Sequence, residues 1–325
     1  MIEIKTYTPE QQAVWDEFVA SCCNATFLHQ RAYMDYHSDR FTDHSLMAYS
    51  DERLVAVLPA NVVGKTLFSH QGLTYGGWLH QVKHFDATVM MAVMQSAAEW
   101  LKNEGFETVV YKPVPHIYHR YPAEEDLYAL FRAGAVLTEC NISTSVLLSN
   151  PFDFDRGNKR AVNSARRAGV EVGESTDWEG YWHVLEEVLA SRHETKPVHS
   201  VEEIKLLHSR FPENIKLYTA TCDRRIVAGV VMFFTHTVAH SQYIASSAEG
   251  RERKALALLF RHLIDQSKDS GYAYFDFGIS NEDHGQWLNE GLVQQKSRLG
   301  GRGIVYNSYQ TINSIFSSIG MYGRA

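Results

Sequence analysis

Apolar and polar positions along this chain alternate in short blocks, and the blocks recur. "LMAYSDERLVAVLPA" begins at Leu46 and "LYTATCDRRIVAGVV" at Leu217. Each reads as an apolar strand, a polar turn at an aspartate (Asp51, Asp223), and a second strand opening Arg53-Leu54-Val55-Ala56 or Arg225-Ile226-Val227-Ala228. That pattern predicts two β-hairpins. A further strand and then a helix follow each hairpin. Met90, Met94, Ala97 and Leu101 share one helical face, and Leu256, Leu259, Phe260 and Leu263 share another. Both helices end alike, in "KNEGFETVVYKP" from Lys102 and "KDSGYAYFDFGI" from Lys268. Gly105 and Gly271 stand where a helix closes in the left-handed conformation, and an apolar strand follows at once. So short a link predicts that the new strand packs parallel to the sheet.

The halves also share a prelude. Helical patterns near Trp15 and Phe18, and near Trp182 and Leu185, precede "HSDRF" (37–41) and "HSRF" (208–211). The chain therefore reads as a duplicated α/β unit, with residues 1–150 as the first copy and 176–325 as the second. Between them, 151–175 form a basic linker whose helix covers roughly Asp155 to Ala168 and stops at Gly169.

Composition narrows the function. At 325 residues, 45% hydrophobic and 21% charged, the chain can bury sizeable cores. A net charge of -7 supplies no global basic field for nucleic acid or membrane. "MIEIKTYTPEQQ" is too polar for a secretory leader, and no apolar run approaches a membrane-spanning length. Cys22 and Cys23 are adjacent, and with Cys140 and Cys222 they form no metal or redox spacing, which predicts reduced thiols in a cytoplasm. The sixteen histidines scatter without a ligand pair, so no metal site is expected.

The most specific residues lie in the second copy: "AHSQYIAS", a helix led by "GRERKALALL", "GYAYFDFGIS", then "GLVQQKSRLGG". The order of elements resembles the GNAT acyltransferase superfamily, and the tandem arrangement resembles its FemABX-like branch. The pattern Y-x-D-[FL]-G, a gap, then G-L-x-x-x-K and glycine is similar to the end of a Fem-type second domain. "KRAVNSARRAGVEV" is similar to the helix joining the two domains. The resemblance spans nearly the whole chain. It implies two tandem GNAT-like (acyl-CoA N-acyltransferase) domains, mixed sheets flanked by helices, with the active site in the second. The implied reaction moves an acyl group from a small-molecule donor to an amine acceptor, with acyl-CoA as cosubstrate and no tightly bound cofactor. Two departures bear on the donor. The long helical-hairpin insertion of tRNA-dependent members is missing, and the phosphate loop Q/R-x-x-G-x-G/A is reduced to "SSAEGRERKA" (246–255), with Gly250 alone. Acyl-CoA is favoured on the first point and on the acidic net charge. An aminoacyl-tRNA donor acting on a peptidoglycan precursor stays open, as does a non-catalytic binding module.

Acyl transfer needs a neutral amine, a stabilised oxyanion and a protonated leaving group. Lys296 is the candidate oxyanion cation by its place in the resembling motif, against a solvated lysine before a turn. Gly300, Gly301 and Gly303 read as a turn into the strand "IVYNSY", not as a P-loop. Asp276 interrupts an apolar strand and either caps a turn or faces the cleft. Tyr243 is a candidate acid and His284 a loop-borne base. Gly250, Arg251 and Arg253 are placed to meet a donor pyrophosphate. In "SRHETKPVHS", Arg192, His193, Glu194 and Lys196 are candidate acceptor contacts, as are Tyr75 and Trp78 in "SHQGLTYGGWLH". The basic run Arg156, Lys159, Arg160, Arg166 and Arg167 suits a nucleotide or tRNA backbone, or a solvated helix face.

Overall fold

The computed structural model describes residues 1–193 and 197–312. The described residues divide into two compact units, 1–141 with 305–312, and those within 142–304. These bounds differ from the sequence reading. The last strand returns to the first unit, and the basic helix is part of the second.

In unit 1 the strands are β1 (Ile2–Thr6), β2 (Thr42–Asp43), β3 (Leu46–Ser50), β4 (Arg53–Leu58), β5 (Asn61–Val63), β6 (Thr66–Phe68), β7 (Leu79–His80) and β8 (Thr108–Tyr111). Its helices are α1 (Gln12–Ser21), α2 (Arg31–Met34), α3 (Ala87–Asn103) and α4 (Glu125–Arg132). One sheet has the order β1-β3-β4-β7, and β8 pairs parallel with β6. Strand β9 (Val136–Leu147) leads into unit 2, which contains β10 (Glu171–Ser175), β11 (Ile215–Cys222), β12 (Arg225–Phe234), β13 (Val238–Ser246), β14 (Tyr274–Ile279), β15 (Asn281–Glu282) and β16 (Trp287–Leu288). Its helices are α5 (Arg156–Arg167), α6 (Trp178–His193), α7 (Val201–Arg210), α8 (Ala248–Glu252), α9 (Ala255–Asp269) and α10 (Glu290–Arg298). Here the order is β10-β11-β12-β13-β14-β9. Strand β17 (Arg302–Ile312) returns to unit 1, where Tyr309 to Ile312 pair antiparallel with β8.

The repeated hairpins are the same object built twice. Asp51 and Glu52 have φ of 47° and 67°, and Asp223 and Arg224 have φ of 48° and 64°. Two successive left-handed residues make the turn whose twist matches the flanking strands. The register slips after Ala48 in the first hairpin and after Ala220 in the second, so even the bulge is duplicated. Gly105 and Gly271, at φ of 84° and 85°, end α3 and α9 with matching backbone bonds: Gly105 N to Lys102 O and Phe106 N to Leu101 O, then Gly271 N to Lys268 O and Tyr272 N to Ser267 O. A side chain at either glycine would oppose that conformation. In unit 2 the expected parallel strand is β14, laid against β13.

Each unit closes its own core. Met90, Met94, Ala97 and Leu101 of α3 pack on Ala48, Ala56 and Leu58. Leu259, Phe260 and Leu263 of α9 pack on Val230, Met232 and Phe275, with Val162 and Ala165 of α5 joining them. Asp155 caps α5 by accepting Asn158 N–H at 2.7 Å, and Gly169 ends it at φ 71°. Among the described residues no helix is long and apolar enough to cross a membrane.

Candidate active site

The site is built where two strands of unit 2 separate. β13 runs parallel to β14 only from Val238 beside Tyr274 to His240 beside Asp276. Beyond that point β13 follows β12 as far as Ser246, and β14 continues to Ile279. Val231 faces Tyr243 and Met232 faces Ser241, so Gln242 is an extra residue that bends β13 as it leaves its neighbour. Parted strands of this kind expose backbone N–H groups with no ladder partner, which suits them to a carbonyl oxygen.

At the fork sits a fully buried carboxylate, Asp276. Its Oδ1 accepts the hydroxyl of Ser143 at 2.7 Å and that of Ser145, both from β9. Its Oδ2 lies 2.7 Å from His240 Nδ1 and accepts Gly278 N–H at 3.3 Å. Burial alone raises the carboxyl pKa, but the adjacent His240 and the two serine hydroxyls outweigh it and hold it below the ordinary 3.8. The carboxylate fixes Nδ1 of His240 as the protonated nitrogen and leaves Nε2 as the basic one.

Lys296 projects from α10 and is 5% exposed, so it is no solvated lysine. Its Nζ donates to Gly278 O at 2.8 Å, to Ile279 O at 2.7 Å and to Ser280 Oγ at 2.9 Å. All three ammonium protons thus go to the end of β14. Burial pushes its pKa down to about 8, with the Asp276 charge pulling the other way. In this arrangement Lys296 shapes the strand leaving the fork. The glycines after it serve the backbone: at Gly300, φ 93°, a Cβ would stand 2.2 Å from Phe152 O.

Tyr243 lies on β13 past the fork, half-buried, with Oη 2.6 Å from His199 Nδ1. Sequence reasoning missed His199, His240, Ser143 and Ser145. His199 and His240 lie within the quoted segments "SRHETKPVHS" and "AHSQYIAS", but no spacing set either apart from its neighbours, and the serines reach Asp276 only through the pairing of distant strands.

Other candidates fall elsewhere. His284 is exposed at the tip of the β15–β16 hairpin, in a left-handed conformation (φ 52°). Gly250 seats α8 against β12, where a Cβ would meet Val227 O at 2.2 Å, so its glycine character is spent on packing. Arg251 donates to Ser246 O at 2.8 Å; Arg253 donates to Glu249 at 3.1 Å and to Ala168 O at 3.2 Å. Each guanidinium keeps further donors for a ligand. Tyr75 and Trp78, expected along a cleft, are each 2% exposed and are packing residues of unit 1. Trp78 N–H donates to Tyr111 Oη at 2.7 Å, which fixes that segment in the core. Arg192 and His193 are in the last turn of α6, while Glu194 and Lys196 lie outside the described residues. The five basic residues of α5 are exposed, and Lys159 pairs with Asp153 at 2.6 Å. A groove of about 620 Å³ beside α5 and α9, lined by Arg166, Val172, Leu258, Arg261 and Gln266, shares no residue with the fork. His262 and Asp265 also line it, but Asp265 is engaged by Arg261 at 2.6 Å and not by an imidazole, so the groove is not the candidate.

Residues 155–285 match the family model of the acetyltransferase (GNAT) domain. No curated protein matches the sequence. Among solved structures the chain is similar to FemX, with a TM-score of 0.68 at 14% identity over 96% of this chain and 98% of that one. It is similar to L-PGS from Bacillus licheniformis, with a TM-score of 0.61 at 14% identity over 93% and 91%. It is also similar to a tandem GNAT protein from the clavulanic acid biosynthesis pathway, with a TM-score of 0.54 at 12% identity over 96% and 99%. The resemblance read from the sequence is thereby borne out: the chain has the tandem GNAT fold that it shares with FemX, and its residues 155–285 carry an acetyltransferase (GNAT) domain.

Proposed function

We propose that this protein is an N-acyltransferase that moves an acyl group from a thioester, acyl-CoA, to an amine bound at the fork of β13 and β14. The observation that carries the reading is the His240–Asp276 dyad, a buried carboxylate orienting an imidazole at the point where the two strands part. His240 takes the proton from the ammonium or amine nucleophile through Nε2. Asp276 holds the ring and stabilises the imidazolium that forms, without itself accepting the proton. Backbone N–H groups of β13 past the Gln242 bulge, on the edge that faces away from β12, take the developing oxyanion. Lys296, which ties the carbonyls of Gly278 and Ile279, keeps β14 splayed and acts as a positioning residue. The thiolate leaves, and Tyr243 is the nearby group with a proton to return.

The test is thiol release from acetyl-CoA and longer acyl-CoAs against a panel of primary amines. His240→Gln is expected to lower the rate about 100-fold or more while leaving donor binding unchanged. A His240→Gln variant as fast as the wild type removes the dyad from the mechanism. Failure of every acyl-CoA to raise the melting temperature removes the donor. The second reading, an aminoacyl-tRNA donor, is favoured by the exposed arginines and lysines of α5. Under that reading tRNA binding weakens steeply between 50 and 200 mM salt, by about 10-fold or more for each few phosphates contacted.

A further inference from the structure

The carboxylate of Asp276 is held from a third strand as well as from the two that part. β9 pairs antiparallel with β14, and Ser145 stands directly opposite Asp276, so their side chains share one face of the sheet. The next pair in register is Ser143 with Ile279. β14 takes three steps where β9 takes two, and Gly278, at φ 78°, lies within the bulge. Thr144 points to the opposite face, where a Cβ at Gly301 would stand 2.4 Å from its Cγ2. The alternation thus brings both serines, and not the threonine, to the carboxylate. All three groups are buried.

Four donors meet Asp276: the hydroxyls of Ser143 and Ser145 on Oδ1, and His240 Nδ1–H and Gly278 N–H on Oδ2. Two carboxylate oxygens offer about four lone-pair positions, so the ionised group is satisfied throughout. A protonated carboxyl would instead turn one oxygen into a donor facing donors. The charged and titratable surroundings come from several elements. His240 lies on β13, and the Lys296 ammonium of α10 is a second positive charge, tied to Gly278 O and Ile279 O. Helix α6, packed on β13, buries Tyr181, Trp182 and Leu185 and leaves His183, Glu186 and Glu187 exposed. His199 engages Tyr243 further along β13. β12 sets Phe233 opposite His240, and α9 sets Phe260 against Phe275 and Phe277.

We infer that Ser143 and Ser145 are positioning residues whose hydroxyls keep the His240–Asp276 pair in its deprotonated form, an imidazole beside a carboxylate, at neutral pH. The two protonation states of the pair use the hydroxyls unequally. Deprotonated, the carboxylate is a buried anion beside a neutral ring, and it draws fully on both serines. Once the pair takes a proton, the negative charge is answered by an imidazolium or cancelled on the carboxyl, and the serines matter less. Donors that favour the deprotonated state lower the pH at which the pair takes its proton. Serine suits this task because its hydroxyl donates without bringing a charge of its own. Acyl transfer to an amine needs a base that is free near neutrality, and to that extent the inference rests on the acyltransferase reading.

The chain has sixteen histidines, so labelling with nitrogen-15 histidine gives imidazole spectra in which His240 is assigned by its loss in His240→Gln. The nitrogen shifts read both the tautomer and the midpoint of protonation. The wild type is expected to hold its proton on Nδ1. Ser143→Ala and Ser145→Ala are each expected to raise the midpoint by about one pH unit, and the acid limb of kcat/KM for acyl transfer with it. Ser145→Thr keeps a hydroxyl and is expected to titrate as the wild type does. Melting curves show which variants fold, and where one alanine variant fails the other decides. A midpoint that stays still or falls in a folded alanine variant would overturn the inference, as would Ser145→Thr titrating with Ser145→Ala. A raised midpoint with an unmoved acid limb, or with no acyl transfer at all, would leave the serines in this role and remove His240 as the base of the proposed reaction.

Discussion

Two buried aspartates show how a single neighbour decides what a carboxyl does. Asp276 has His240 against one oxygen and two serines on the other, and it stays ionised in a fully buried place. Asp126, also buried, accepts Tyr111 Oη–H on Oδ2 at 2.8 Å and Leu127 N–H on Oδ1 at 2.8 Å, with the charges of Glu125 and Glu124 opposing its ionisation. Burial pushes its pKa up to about 7. The signs of the two contributions to stability are opposite. A folded pKa below the unfolded value gives Asp276 a contribution present above the ordinary 3.8 and lost on acidification. A folded pKa above it gives Asp126 a contribution present below 3.8 and lost as pH rises through about 7. Asp126→Asn cannot ionise and carries none of that slope. Thermal melts at pH 4.5, 6 and 7.5 should therefore show the variant gaining on the wild type as pH rises, by on the order of 2 kcal/mol across the range. A constant difference between the two proteins at all three values would mean that Asp126 does not titrate in this window.

At the scale of elements, the hairpins were legible because their turn chemistry is local. A two-residue turn with both residues left-handed needs little beyond Asp51-Glu52 or Asp223-Arg224 between alternating strands. The second residue of each turn is nonetheless ill suited to its conformation, since a Cβ in the left-handed region crowds the backbone. Glu52→Gly and Arg224→Gly should each stabilise the protein by about 1 kcal/mol, read as a rise in melting temperature. A fall at both positions would show that the side chains hold these turns by contacts of their own. The helix ends at Gly105 and Gly271 were legible for the same reason, as were α5 with its aspartate cap and Asp276 as an ill-fitting strand carboxylate. What could not be read was anything set by pairing between distant strands. Ser143 and Ser145 reach Asp276 through the antiparallel register of β9 and β14, and His240 reaches it through a parallel contact only three residues long. The same limit hid the burial of Tyr75 and Trp78, because a Gly-rich aromatic segment looks alike in a core and along a cleft. It also hid the partners of Arg251 and Arg253, which are carbonyls and a glutamate brought near by folding.

At the scale of the molecule, duplication supplies an internal control that few proteins offer. Corresponding residues have been placed in two environments within one chain, so a side chain kept for packing can be told from one freed from it. Trp15 and Trp182 are such a pair. The first donates to His29 O within the core of unit 1, and the second has no hydrogen-bond partner among the described residues. Removing the indole N–H should therefore have unequal costs in the two units. Trp15→Phe loses a buried hydrogen bond and leaves His29 O without that donor, so it should cost about 1 kcal/mol of stability, with transfer activity per folded molecule unchanged. Both substitutions leave the space of the lost ring atoms, but Trp182→Phe deletes a donor that has no acceptor among the described residues, so it should cost less stability than Trp15→Phe. Paired melting curves and rate measurements on the two variants decide it. Equal destabilisation with equal activity would make both tryptophans core residues, and the difference between the copies would then be one of packing alone.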